Sequence, residues 1–200
     1  MHLLEGVSGL DPRWDAHPGG EQQPFHSPDG FGANLRDGLP YPYTEQDARE
    51  YICTMLSADE TSTFAYAITQ NDRAIGSIGA FRQGNIHWQT AELGYYLAEK
   101  YWGKGIMTEA IRQLCGIIFD TTDILRIYAE PFAYNTGSRR ALEKAGFCYE
   151  GTMKNNAVKN NKVLDMALYS LTRTTESYPV RRLSREQISK RKESDTGTTG

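Results

Sequence analysis

The run Glu92-Leu-Gly-Tyr-Tyr-Leu-Ala-Glu-Lys-Tyr-Trp-Gly-Lys-Gly-Ile-Met-Thr-Glu-Ala110 constrains the fold of this chain more than any other stretch. Its first part reads as a strand that starts at about Trp88 and ends at about Leu97. A loop with Gly103 and Gly105 follows. Ile106, Met107, Ala110, Ile111, Leu114, Ile117 and Ile118 then recur at helical spacing, which predicts a helix over about 104–119. The two glycines let the backbone adopt unusual dihedrals and approach a ligand closely. The free N–H groups and the positive dipole end of the helix face outward, which suits phosphate oxygens. A Walker A loop is excluded because Ile106 follows Gly105, and a dinucleotide fingerprint is excluded because Thr108 stands where a third glycine belongs. From this loop alone, a tight strand–helix turn without a ligand stays open as the other reading.

The elements around the loop alternate. Thr44-Glu-Gln-Asp47 resembles a capping box opening a helix through about Leu56. Phe64–Ile68 and Ala74–Phe81 read as strands joined by a turn at Asn71-Asp72, and Gln83-Gly-Asn85 turns into the Trp88–Leu97 strand. Arg126–Pro131 reads as a strand and Ser138–Ala145 as a helix stopped by Gly146, with Phe147–Met153 and Val163–Leu171 as a final hairpin. The expected class is a mixed α/β sheet with helices packed on it.

Composition narrows the function classes. The chain has 200 residues and a formal net charge of −3, but the charge is uneven. Residues from Pro179 onward hold six basic and three acidic residues, against 16 basic and 22 acidic in the rest. A mildly acidic body argues against a nucleic-acid-binding domain, and the basic end reads as a solvated tail. The longest uncharged apolar run, Leu114–Phe119, is far short of a membrane span. No secretory leader is visible, so the expected location is the cytoplasm. Cys53, Cys115 and Cys148 are widely spaced, and three of the four histidines (His2, His17, His26) fall in the Pro- and Gly-rich start, so no metal site is expected. The thiols read as free and buried or half-buried, and His87 as an exposed strand residue. The organisation read from composition is an irregular segment over 1–32, one domain over 33–173 and a polar tail over 174–200.

Two motifs and a third segment carry a resemblance. Lys100-Tyr-Trp-Gly103-Lys-Gly105 resembles motif A of the GNAT N-acetyltransferase superfamily. Asn135-Thr-Gly-Ser138 with Lys144-Ala-Gly146-Phe147 resembles its second cofactor motif. Asn34-Leu-Arg-Asp-Gly-Leu-Pro-Tyr-Pro-Tyr43 resembles the branch of ribosomal-protein N-terminal acetyltransferases, RimJ/RimL-like. The resemblance implies a central mixed sheet that splays after the family's fourth strand. It also implies acetyl-CoA as cosubstrate, no metal, and a primary amine as acceptor. A protein or peptide N-terminal α-amine is the first choice. The alternatives are a small-molecule amine (amino acid, polyamine or drug) or a catalytically weak acyl-CoA-binding module. The oligomeric state stays open.

The resemblance also implies site residues. Lys100, Trp102, Gly103, Lys104, Gly105, Ile106, Met107 and Thr108 would hold the pyrophosphate. Tyr96, Leu97 and Ala98 would offer backbone groups to the pantetheine amides. Asn135 would hydrogen-bond the arm, cap its own helix, or do both. The reaction needs a neutral amine. An α-amine near pKa ~8 requires less help than a lysine amine near ~10.4. Glu92, mid-strand and on one face with Gly94 and Tyr96, is the expected base. Many family members place a tyrosine seven residues after the motif asparagine. That position is Leu142 here, so Ser138 is preferred as hydrogen donor to the thiolate, with Tyr134 in reserve. Tyr41, Tyr43, Trp88, Tyr95, Tyr96 and Trp102 cluster around these motifs; some would line the acceptor pocket, while each singly reads as core or surface filling. Residues 1–33 lack the family's first-strand pattern, which predicts a missing or malformed first strand; a strand from residues 2–10 beside 64–68 would overturn that.

Overall fold

The computed structural model describes residues 45–70 and 73–173. The expected cap Thr44, the turn at 71–72, the first-strand question and the tail lie outside the described residues. After α1 (Glu45–Leu56), strands β1 (Thr63–Gln70), β2 (Arg73–Arg82) and β3 (Thr90–Leu97) form an antiparallel meander. Helix α2 (Ile106–Thr121) crosses to β4 (Arg126–Ala129), which pairs parallel with β3. Helix α3 (Thr136–Ala145) leads to the hairpin of β5 (Cys148–Lys159) and β6 (Lys162–Thr172). The result is a six-stranded mixed sheet in the order β1-β2-β3-β4-β6-β5.

The core lies on one face of the sheet. Ala110, Ile111, Leu114 and Ile118 of α2 and Leu142 of α3 are fully buried with Ile78, Ala80, Ala91, Ile127 and Tyr169 of the strands. The α2 residues among them are helical-period positions of the sequence, and each leucine or isoleucine side chain so buried contributes about 1.5–3 kcal/mol. Arg173 closes this layer at the far end. Its guanidinium donates to the Thr122 carbonyl at 3.0 Å and also to the Phe119 carbonyl, where α2 leaves unpaired acceptors and a negative dipole end.

Several boundaries differ from the sequence reading. Helix α2 starts at Ile106, two residues later than expected, because Gly105 takes the left-handed conformation and serves as the cap. Strand β3 starts at Thr90 because Asn85–His87 forms a 3-10 turn, so the exposed His87 is a turn residue rather than a strand residue. Strand β4 ends at Ala129, and the chain then runs beside β6 through a single bridge between Phe132 and Met166. The last hairpin is longer than expected because Asn160 and Asn161 both adopt positive φ, 50° and 58°, and make a two-residue turn of type I′ character. Of the three cysteines only Cys115 is buried, and burial pushes its thiol up to about 12. Cys53, in α1, and Cys148, which opens the edge strand β5, are exposed, contrary to expectation.

Candidate active site

The site begins where two strands part. β3 and β4 share the pairs Thr90↔Arg126, Ala91↔Ile127 and Glu92↔Tyr128, and no pair beyond them. Leu93–Leu97 keep register only with β2, while the chain after β4 stays with β6 through Ala133 N–H to Asp165 O and Ala167 N–H to Pro131 O, both 2.9 Å. The sheet therefore opens into a wedge whose apex is the Glu92–Tyr128 pair.

Alternation decides what β3 presents to that wedge. Gln83 N–H donates to Thr90 O and Ala98 N–H to Ile75 O, so the hydrogen-bonding groups of even-numbered residues face β2. Those of Leu93, Tyr95 and Leu97 face the opening. This alters the expected set: Ala98 has its N–H bound to β2, Tyr96 also points its main chain that way, and Tyr95 takes its place at the opening. The Leu97 carbonyl accepts from the Trp102 indole at 2.7 Å, which folds the loop back onto the strand end.

The loop itself is an anion cradle. After a 3-10 turn at Glu99–Tyr101, Gly103 and Gly105 adopt φ of +72° and +77°. A Cβ at either would meet nothing within 4 Å, so conformation rather than room demands glycine, at about 1–2 kcal/mol for another residue. Gly105 caps α2 without a side chain, and the first helical bond runs from Glu109 N–H to Gly105 O. The amides of Ile106, Met107 and Thr108 thus form the positive end of the helix. Met107 and Thr108 are buried, so they can contribute main chain rather than side chain. The exposed ammonium groups of Lys100 and Lys104 sit 5.1 and 5.4 Å from the centre of the Tyr101 ring, which holds both cations beside the same helix start. The missing Cβ atoms, free-end amides and two cations fit a pyrophosphate.

Across the wedge, Asn135 caps α3: its Oδ1 accepts from Ser138 N–H at 3.1 Å. The Ser138 hydroxyl lies 2.7 Å from the Tyr95 phenol oxygen. Burial pushes the Tyr95 phenol above its ordinary value, and the hydrogen bond with Ser138 offsets this only in part. Glu92 lies on the opposite face of β3 from Tyr95, half-buried, with its Oε2 accepting from Tyr128 at 3.4 Å. Leu142 is in the core, as its apolar side chain requires. Tyr134 is stacked on Phe132 with ring centres 5.4 Å apart. Tyr95 and Tyr128 are the residues that sequence reasoning missed. The period-two pattern placing Tyr95 on the face opposite Glu92 is readable in the sequence; the pairing of Tyr128 with Glu92 is not. No group of three His, Cys, Asp or Glu among the described residues could hold a metal, and no described helix is long and apolar enough to cross a membrane.

The sheet parts after its third described strand, with free helix-start amides and two cations on one side and a capped serine on the other, an arrangement that could hold a phosphorylated cosubstrate. The family model "Acetyltransferase (GNAT) domain" matches residues 27–148, and the chain belongs to that family. It is an N-acetyltransferase of the GNAT type. It is 40% identical over 124 residues to "Probable N-acetyltransferase YjcK" of Bacillus subtilis (strain 168), covering 60% of this chain and 68% of that protein. It is 29% identical over 140 residues to the ribosomal-protein-serine acetyltransferase of Escherichia coli (strain K12), covering 68% of this chain and 78% of that one. Among solved structures, Mycobacterium smegmatis RimJ in complex with CoA-disulfide has the same fold, with a TM-score of 0.62 at 22% identity over 72% of this chain and 69% of that chain.

Proposed function

We propose that this enzyme transfers acetyl in one direct step to the α-amine of a protein or peptide N-terminus. The observation that carries the reading is the division of groups at one opening: the Ser138–Tyr95 hydroxyl pair with the helices on one face, and the Glu92 carboxylate on the other. In the reaction the amine nitrogen bonds to the thioester carbonyl carbon, the C–S bond breaks, and an amide and a thiol result. Glu92 takes the proton that the nitrogen loses, directly or through one water. An α-amine, with a pKa of about 8, is partly neutral at pH 7, so a carboxylate suffices where a lysine amine would ask for more. Ser138 gives a hydrogen bond or proton to the departing sulfur. The amides of Ile106, Met107 and Thr108, with Lys100 and Lys104, hold the pyrophosphate. The main chain of Tyr95 and Leu97 meets the pantetheine arm. Asn135, whose oxygen caps α3, has its amide N–H₂ to donate to the same arm.

The choice of acceptor is supported by the similarity to a protein named for acetylating a ribosomal-protein serine. The test is purified enzyme with acetyl-CoA and a panel of peptide α-amines, lysine side-chain amines, amino acids and polyamines. Thiol release and product mass are the readouts. Fastest turnover of an α-amine peptide, acetylated at its first nitrogen, is expected; faster turnover of a polyamine or free amino acid would replace this reading with a small-molecule one.

A further inference from the structure

Three glycines lie in the paired stretch of β2 and β3, and two of them have a packing reason. A Cβ at Gly76 would come within 2.5 Å of the Tyr96 carbonyl oxygen. One at Gly79 would press on the Phe81 ring at 3.3 Å. Gly94 differs. It is exposed, and a Cβ there would meet no atom within 4 Å. It is not among the glycines with positive φ, and the β2–β3 register runs through it without a bulge. Steric crowding, unusual dihedrals and strand irregularity each fail to explain it. A strand-interior glycine nonetheless weakens the sheet, and it often marks a place where a ligand or another backbone comes close.

Its position supplies the missing reason. Gly94 is two residues beyond Glu92 on the same face, and it is the first residue of that face past the Glu92–Tyr128 apex. Helices α2 and α3 lie on the other face, with Leu93, Leu97 and Tyr95. The geometry points to Gly94 as the clearance through which the acceptor reaches the acetyl group, with the α-carbon of the incoming amine laid against the bare main chain beside Glu92. Gly94 is therefore a specificity-determining position: its lack of a side chain admits a substituted α-carbon, and any side chain here competes with the acceptor's own. This rests on the proposed reading, in which the acyl donor is held from the helix face.

Gly94→Ala and Gly94→Val test it, with CoA and acetyl-CoA binding by calorimetry, melting temperature, and steady-state kinetics on glycinamide, serinamide, tryptophanamide and the best amine of the wild-type panel. The expected result is a melting temperature equal to or above wild type and unchanged CoA binding. The kcat/KM for the best amine should fall at least about tenfold for valine. Alanine should fall between, and the larger amines should lose more than glycinamide in both variants. Wild-type turnover of every amine by Gly94→Val would overturn the inference. So would loss of CoA binding along with activity, which would make the glycine a clearance for the cosubstrate, and so would a lowered melting temperature with uniform loss on all amines. Absence of CoA binding or acetyl transfer in the wild type would instead bring down the reading beneath it.

Discussion

Glu92 and Tyr128 are the last register pair between β3 and β4, and the Tyr128 phenol donates to the Glu92 carboxylate across that pair at 3.4 Å. The residue proposed as base is thus held at the apex of the opening, with its neighbour on the adjoining strand oriented toward it. Replacing Glu92 with Gln keeps the shape and removes the proton acceptor. The expected outcome is a fall of about a hundredfold or more in kcat with unchanged CoA affinity. Rate profiles over about pH 6 to 9 check it, since wild-type turnover throughout would remove Glu92 from the mechanism.

The glycine loop should fail differently. Gly103→Asp or Gly105→Asp adds a carboxylate at the helix start and forces a non-glycine residue into the left-handed region. CoA binding should be lost by calorimetry. Gly105→Ala, which adds no charge, should keep weakened binding and a slightly lower melting temperature.

Ser138 and Tyr95 form a graded pair. A thiolate is a fair leaving group, so Ser138→Ala should cost less than the Glu92 substitution, about tenfold in kcat. Tyr95→Phe leaves the Ser138 hydroxyl in place and removes its 2.7 Å partner, so a smaller loss is expected. A double substitution no worse than Ser138→Ala alone would show that Tyr95 acts through the serine.

Stability carries a pH signature. The bidentate Arg126 guanidinium, at 2.6 and 2.5 Å, and the Ser170 hydroxyl hold the Glu150 carboxyl down at about 2. A depressed carboxyl contributes fully above its ordinary value of 4.5, and the contribution drains away as pH falls from there toward about 2. Both side chains are about one-third exposed, at 31% and 35%, so solvent screening limits the pair to ~1 kcal/mol. Glu150→Gln should melt about 2–4 °C below wild type at neutral pH, and the gap should close in acid. A gap that persists at pH 2 would contradict the ion pair as its source.

Gly116 offers the opposite change. It is exposed in the middle of α2, and a Cβ added there would meet no atom within 4 Å. Gly116→Ala should raise stability by about 0.4–1 kcal/mol, read by denaturant unfolding.

The α2 period, the Gly103–Gly105 loop and the Asn135 cap are legible in the sequence because each is decided within a few residues. The wedge itself is reached from sequence only through resemblance, since its apex depends on a parallel register between residues 92 and 128, which are separated by a loop and a helix. The hairpin tip escapes a sequence reading because Asn160-Asn161 makes a turn more often written with glycine. Tyr95 reads as filling because one aromatic at a half-buried strand position looks like core until its hydroxyl is seen beside Ser138.

The most direct test of Glu92 as the base is thiol release from acetyl-CoA by wild type and Glu92→Gln in parallel, with CoA binding measured on both and an α-amine peptide as acceptor. The predicted result is release that requires the peptide, acetyl on its first nitrogen, equal CoA binding, and loss of about a hundredfold or more in the variant. Equal turnover by the two proteins would contradict it.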